Sequence, residues 1–241
     1  MNHLSKIGIA CAVGATAVLG LAASPSQTVS LGELIESNGT FQNKHLTFSN
    51  FSFQLACLDF NNPNATCEEL FEVGHVRPIN PFKIQVSPTT HPGNPGLQFK
   101  DFFRVEDGYG VDLALSYDVT STKPIQSIHL DFDAVLDSGQ VEIIETVSDM
   151  NGNPIGQLFA DNITRNNVPD LGDSDVFDIP VTQFHVLKDI NLTSLPGTGI
   201  PTMTTIEQGY AVPEPLTILG SVVALGFGVA LKKEQSRKHK T

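Results

Sequence analysis

Residues 111–120 read Val-Asp-Leu-Ala-Leu-Ser-Tyr-Asp-Val-Thr, and residues 128–137 read Ile-His-Leu-Asp-Phe-Asp-Ala-Val-Leu-Asp. In the first, Val111, Leu113, Leu115, Tyr117 and Val119 occupy every second position; in the second, Ile128, Leu130, Phe132, Ala134 and Leu136 do. Successive side chains of a strand point to opposite faces, so a period of two at this length predicts two half-buried antiparallel strands. Downstream, Ser138-Gly139 turns the chain into a strand over 141–147, and Asn151-Gly152, the strongest hairpin signal in the chain, leads into another over 155–163. Phe184, Val186, Ile190 and Leu192 alternate again, with Lys188 breaking the row, and a last strand runs from Met203 to Tyr210. Consecutive short strands without a long internal helix predict an all-β domain, an antiparallel β-sandwich or jelly-roll.

Upstream the signals are sparser. Ser30 with Glu33 makes a capping box, so a helix of one or two turns starts there and ends near Asn38-Gly39. In the stretch 45–53, Leu46 and Phe48 share one phase and Phe51 and Phe53 the other; a phase shift inside a strand predicts a β-bulge. Pro78, Pro81, Pro88, Pro92 and Pro95 make residues 77–96 mostly loop, with a short strand over 82–86.

The two ends are of another kind. Lys6, the apolar stretch 7–21 and the small residues Ala22, Ala23 and Ser24 predict a secretory signal peptide over 1–23. Its removal takes Cys11 and leaves Cys57 and Cys67, two cysteines in an exported chain, which predicts a disulfide between them. A metal site at those thiols would need more ligands, and His75 is the only candidate nearby. At the other end, Leu216 to Leu231 is a run of 16 residues without charge, followed by Lys232, Lys233, Arg237, Lys238 and Lys240. As a helix it spans roughly 24 Å, short of the bilayer's roughly 30 Å of hydrocarbon, a gap that snorkelling lysines and local thinning close. The basic flank places its C-terminus on the cytoplasmic side. Pro213 and Pro215 stop the helix upstream and leave Glu214 extended and accessible.

Val212-Pro213-Glu214-Pro215, a single transmembrane helix and a basic end, in that order at the terminus, resemble the PEP-CTERM sorting signal of exported Gram-negative proteins. The resemblance covers residues 212–241 and implies a partner, the exosortase-type membrane enzyme that recognises the Pro-Glu-Pro site and removes the helix. It implies export to the cell envelope alongside exopolysaccharide, with anchoring in the inner membrane before processing. The short Leu-rich helix and Phe-rich strand that open the mature chain are also similar to that family.

Residues 24–211 then form one secreted domain with enough length for a sizeable core. Without the signal and the C-terminal helix and tail, eight Lys+Arg stand against 25 Asp+Glu, a balance of −17. So acidic a surface excludes nucleic acid as a partner. No Gly-x-Ser-x-Gly, His-Glu-x-x-His or phosphate-binding Gly-Lys-Ser motif occurs, and the histidines are scattered without metal spacing. His129 and His185 fall on polar phases and read as surface. Asp170, Asp173 and Asp175, in a stretch running to Asp178, are the densest carboxylates; on a loop such oxygens suit calcium, and a plain solvated loop is the alternative. Asp149-Met150-Asn151-Gly152-Asn153 opens like a calcium loop but continues with Pro154. No other cofactor is indicated, and no catalytic residue. The expectation is therefore a non-enzymatic structural or binding protein of the cell surface or extracellular matrix. The alternatives are a carbohydrate-binding module, against which the lack of Trp and the presence of only three Tyr count, and a secreted hydrolase, which a pocket with two converging carboxylates would revive.

Overall fold

The structure, a computed structural model, describes residues 28–89, 94–134, 139–165, 168–197 and 199–212. The expected signal peptide, residues Pro213, Glu214 and Pro215, the apolar run 216–231 and the basic end lie outside the described residues. Among the described residues no helix is long and apolar enough to cross a membrane.

The chain runs β1 (Val29–Ser30), α1 (Leu31–Glu36), β2 (Phe41–Asn43), β3 (Leu46–Asp59), α2 (Cys67–Glu72), β4 (Gln85–Pro88), β5 (Gly96–Arg104), β6 (Tyr109–Ala134), β7 (Gln140–Ser148), β8 (Pro154–Arg165), β9 (Val168–Asp170), β10 (Gly172–Thr193) and β11 (Thr202–Ala211). It is all-β, and every strand pair is antiparallel. The two alternating runs expected as separate strands are one strand, β6, of 26 residues. It continues through Lys123-Pro124 because β10, 22 residues long, runs beside it from Gly172↔Asp131 to Thr193↔Gly110. The pairing lapses between Thr120 and Ile125 of β6, opposite Val181 and Gln183. Pro124 and Pro180, which have no N–H to contribute, sit at that lapse.

These two long strands serve two layers. The first half of β6 pairs with β3, whose partner is β2, while the second half of β10 pairs with β7 and β7 with β8. The second half of β6 pairs with β11, which continues through β5 and β4 to β1. Between the layers lie Phe41, Phe48, Phe99, Tyr117, Phe184 and Tyr210, all buried. Their rings meet across the gap, Phe99 with Tyr117 at 5.9 Å and Phe184 with Tyr210 at 5.6 Å between centroids. Spacings of this order are where tilted and edge-on ring pairs are favourable.

Local signals hold where the chemistry is local. Ser30 and Glu33 form the reciprocal capping box of α1. The bulge in β3 falls between Ser49 and Ser52, with Asn50 at φ 53°. At the β7–β8 hairpin the Asp149 carboxylate accepts from the backbone N–H of Asn151 and Asn153 and from Asn153 Nδ2, and Gly152 takes φ 87°. The side-chain bond from Asn153 leads the causes that lower the Asp149 pKa. That carboxylate is engaged in closing a turn. Elements not expected include α2, which carries its own capping box through Thr66 and Glu69, the nine-residue β5 and the short strands β1, β2 and β9.

Candidate functional site

Two segments far apart in sequence meet at the end of β5. Residues 75–77 lie against 104–106: Val76 bridges Val105, Arg77 N–H donates to Arg104 O at 3.1 Å, and Glu106 N–H donates to His75 O at 2.8 Å. The His75 ring stacks on Tyr109 at 4.2 Å with 14° between planes. Between the segments opens a pocket of ≈ 280 Å³, lined by His75, Arg77, Phe102, Arg104 and Glu106 among others. Clefts for small ligands run about 300–1,000 Å³, so this one is sized for a short ligand.

Its chemistry is planar and paired. The Arg77 guanidinium lies 5.0 Å from the centre of the Phe102 ring, donates to Phe102 O, and reaches Asp101 at 3.5 Å. Arg104 holds Glu106 at 2.7 Å. Phe102 stays 42% exposed although an arginine covers one face, so the ring has apolar surface left to offer. Both guanidinium groups are neutralised by carboxylates. The site presents fixed donors and acceptors with little net charge, a set that suits a neutral, hydroxyl-rich ligand.

The predicted disulfide is present, Cys57 Sγ to Cys67 Sγ at 2.06 Å. It joins the end of β3 to the first residue of α2, and α2 leads directly to His75. The pocket's first wall is thus fastened to the sheet at both ends, by the disulfide and by the Val76–Val105 bridge.

The other predicted residues fare differently. Val212 ends the described chain after β11; Pro213, Glu214 and Pro215 lie beyond it. The segment expected as an aspartate-rich loop is extended: Asp170 ends β9 and pairs with Asp161, while Asp173 and Asp175 lie on β10. Asp173 accepts from Phe159 N–H at 2.8 Å and Asp175 from Gln157 N–H at 3.1 Å, so both carboxylates satisfy β8 backbone donors. Among the described residues no group of three or more His, Cys, Asp or Glu is arranged to hold a metal ion. His185 pairs with Asp118 at 2.7 Å and His129 with Asp131 at 2.8 Å, both at the surface. Two carboxylates do converge, Asp112 and Asp189. Burial, and then the hydrogen bond and charge of Asp189, raise the Asp112 pKa. They lie on the outward phase of β6 and β10, and neither is on the wall of the pocket.

No protein-family model matches the chain, and no curated protein does. Among solved structures it is similar to the bacteriophage CBA120 tailspike protein 4 enzymatically active domain, at 12% identity and a TM-score of 0.31, over 66% of this chain. The match takes in 19% of that protein's length. It is also similar to TmCBM61 in complex with β-1,4-galactotriose (14% identity, TM-score 0.32, 57% of this chain and 92% of that one). A third is a carbohydrate-binding module of Cellvibrio mixtus lichenase 5A in complex with cellotriose (11%, 0.24, 64% and 95%). At such scores these likenesses carry no argument about this chain, and the functional reading rests on the site.

One feature of the core stands apart from the pocket. Lys188, which interrupts the apolar row of β10, is fully buried, and so are Glu145 of β7 and Gln208 of β11. Lys188 Nζ donates to Glu145 Oε2 and to Gln208 Oε1, so it ties its own layer to the other. Nearby, the hydroxyls of Tyr117 and Tyr210 are 3.0 Å apart, and burial holds both protonated. Burial raises Glu145 and lowers Lys188, in each case against the pull of the partner. Gln208 stands close enough to favour the Glu145 charge. Even so, Gln208 Nε2 and Glu145 Oε1 have no partner in hydrogen-bond geometry.

Proposed function

We propose that this is an exported, non-catalytic polysaccharide-binding protein of the cell envelope, whose pocket between residues 74–78 and 102–106 takes a short stretch of neutral saccharide. The observation that carries the reading is the exposed Phe102 ring, with the Arg77 guanidinium over it, beside the Arg104–Glu106 pair. A sugar ring offers an apolar C–H face and hydroxyls that both donate and accept. Phe102 meets the first, and the two arginine–carboxylate pairs meet the second. The tyrosine count points elsewhere only until their places are known: Tyr117 and Tyr210 are buried, and among the described residues the exposed large aromatic side chains are Phe60, Phe82 and Phe102.

The pocket's position fits display. Thr202, at the start of β11, pairs with Arg104 at the pocket's edge, and Ala211 at its end adjoins Val212. The 10 residues of β11, at about 3.3 Å each, separate the pocket from Val212 by roughly 30 Å. While the C-terminal helix is still in place, a domain held beyond Val212 would keep its pocket away from the bilayer.

Phe102→Ala should weaken binding about tenfold or more, the loss of one central aromatic contact, and leave the fold intact because the residue is half-exposed. Affinity electrophoresis through gels containing the host's exopolysaccharide reads this directly. Wild type should be retarded and the variant far less; equal mobility of the two would remove the pocket from the account.

In the same reading, an exosortase-type enzyme cuts near Pro213 to Pro215 and frees the acidic domain from the membrane. Mass spectrometry of protein from its native host should find no chain ending at Thr241 in the released fraction. Replacing Pro213, Glu214 and Pro215 with alanine should keep the protein in the membrane fraction. Unchanged release would rule out a sorting role for these residues.

A further inference from the structure

We propose that Lys188 and Gln208 become joined by an isopeptide bond that ties β10 to β11, with Glu145 carrying the protons. The amine of Lys188 already contacts both the carboxamide oxygen of Gln208 and the carboxylate of Glu145, and all three residues are fully buried. Holding nucleophile, electrophile and proton carrier together removes most of the entropic barrier to amide exchange. The surrounding rings, Tyr117 and Tyr210 among them, keep out the water that would compete.

The reaction balances without a co-reactant. The Nζ lone pair attacks Cδ of Gln208, and a Nζ–Cδ bond forms. Glu145 hands its proton to the developing oxyanion at Oε1, takes one from Nζ, and passes it to Nε2. The Cδ–Nε2 bond then breaks, the carbonyl re-forms as the Oε1 proton returns to Glu145, and ammonia leaves. Nζ has lost one hydrogen, Nε2 has gained one, and Glu145 ends as it began. Burial favours the required starting state, because it moves Lys188 towards the neutral amine and Glu145 towards the neutral acid. The product also removes an anomaly: Gln208 Nε2, a buried donor without a partner, is the atom that departs.

The location gives the bond a use. Gln208 lies close in sequence to Val212, the last described residue. In the reading proposed above, pull applied through the C-terminal helix before its removal would enter at β11, and a covalent tie there would stop that strand from being stripped from the sheet.

The test uses the folded, purified full chain, denatured, reduced and digested with trypsin together with a protease that cuts before Asp189. The expected product is a branched peptide in which Lys188 and Gln208 are joined, lighter than the sum of its two parts by one ammonia. Recovery of two separate peptides with free Lys188 and intact Gln208 would overturn the proposal. Total mass alone does not decide it, because Asn151-Gly152 can also lose ammonia by cyclising. Glu145→Gln should fold and show the separate peptides; a branched peptide of equal yield in that variant would remove Glu145 from the reaction. If the variant fails to fold, the wild-type digest still decides whether the bond exists.

Discussion

Lys188→Ala should lower the free energy of unfolding by at least about 3–5 kcal/mol, the usual cost of stranding one member of a buried ion pair, and it also removes the proposed bond to Gln208. The amine is the partner of Glu145 and of Gln208 Oε1. Its removal leaves a carboxylate and a carboxamide facing each other among apolar rings. Denaturant titration measures the loss, and Lys188→Met with Glu145→Leu apportions it. Set against Lys188→Met alone, which has the same residue at 188 and also lacks the amine, the double variant reports what the stranded carboxylate costs. The double variant should be more stable than Lys188→Met by most of the loss; equal stability of the two would mean that the stranded carboxylate is not the source. The pH dependence has a definite sign. Burial already raises Glu145, and loss of Lys188 removes the main opposing influence. With the folded pKa above the unfolded one, the native state binds more protons between them, so stability falls as pH rises through that window. The single variant should therefore be closer to wild type at about pH 5 than at about pH 8.

Replacing Cys57 and Cys67 together with alanine should cost about 2–3 kcal/mol in the chain-entropy account of so short a loop. The larger effect should be local. The disulfide anchors the first residue of α2, and α2 positions His75 and Arg77, so one wall of the pocket loses a fixed end. Saccharide affinity should fall more than the stability change alone would cause at a temperature where the variant is still folded. Hydrogen exchange over residues 67–77 should quicken while the β6–β10 ladder stays protected. Uniform quickening over the whole domain would show that the disulfide serves global stability and not the pocket.

These contrasts show what could be read in the sequence. Alternation over 111–119 and 184–192 identified inward faces, because which face is buried depends on strand period and on nothing distant. The Ser30–Glu33 cap, the bulge after Ser49 and the Asn151-Gly152 turn were legible for the same reason: each is settled within a few residues. Strand continuity was not. Pro124 looks like a boundary, yet β6 passes through it because β10 lapses at the same level. Nor could the sequence show that β10 lies between β6 and β7, which follow one another along the chain. The aspartates at 173 and 175 suggested a loop by propensity, but the N–H groups of Phe159 and Gln157 give them partners in a sheet. Lys188 looked like an interruption because Glu145 and Gln208 come from other strands. The pocket left almost no trace, since its walls contribute single residues from two separate segments without any period or motif.

The most direct measurement is hydrogen exchange with and without saturating oligosaccharides prepared from the host's own exopolysaccharide. Binding at the pocket should slow exchange at 75–77 and 102–106 and leave the outward face of β3, β6, β10 and β7 unchanged. Protection confined to that outward face, or none at saturation, would contradict the account.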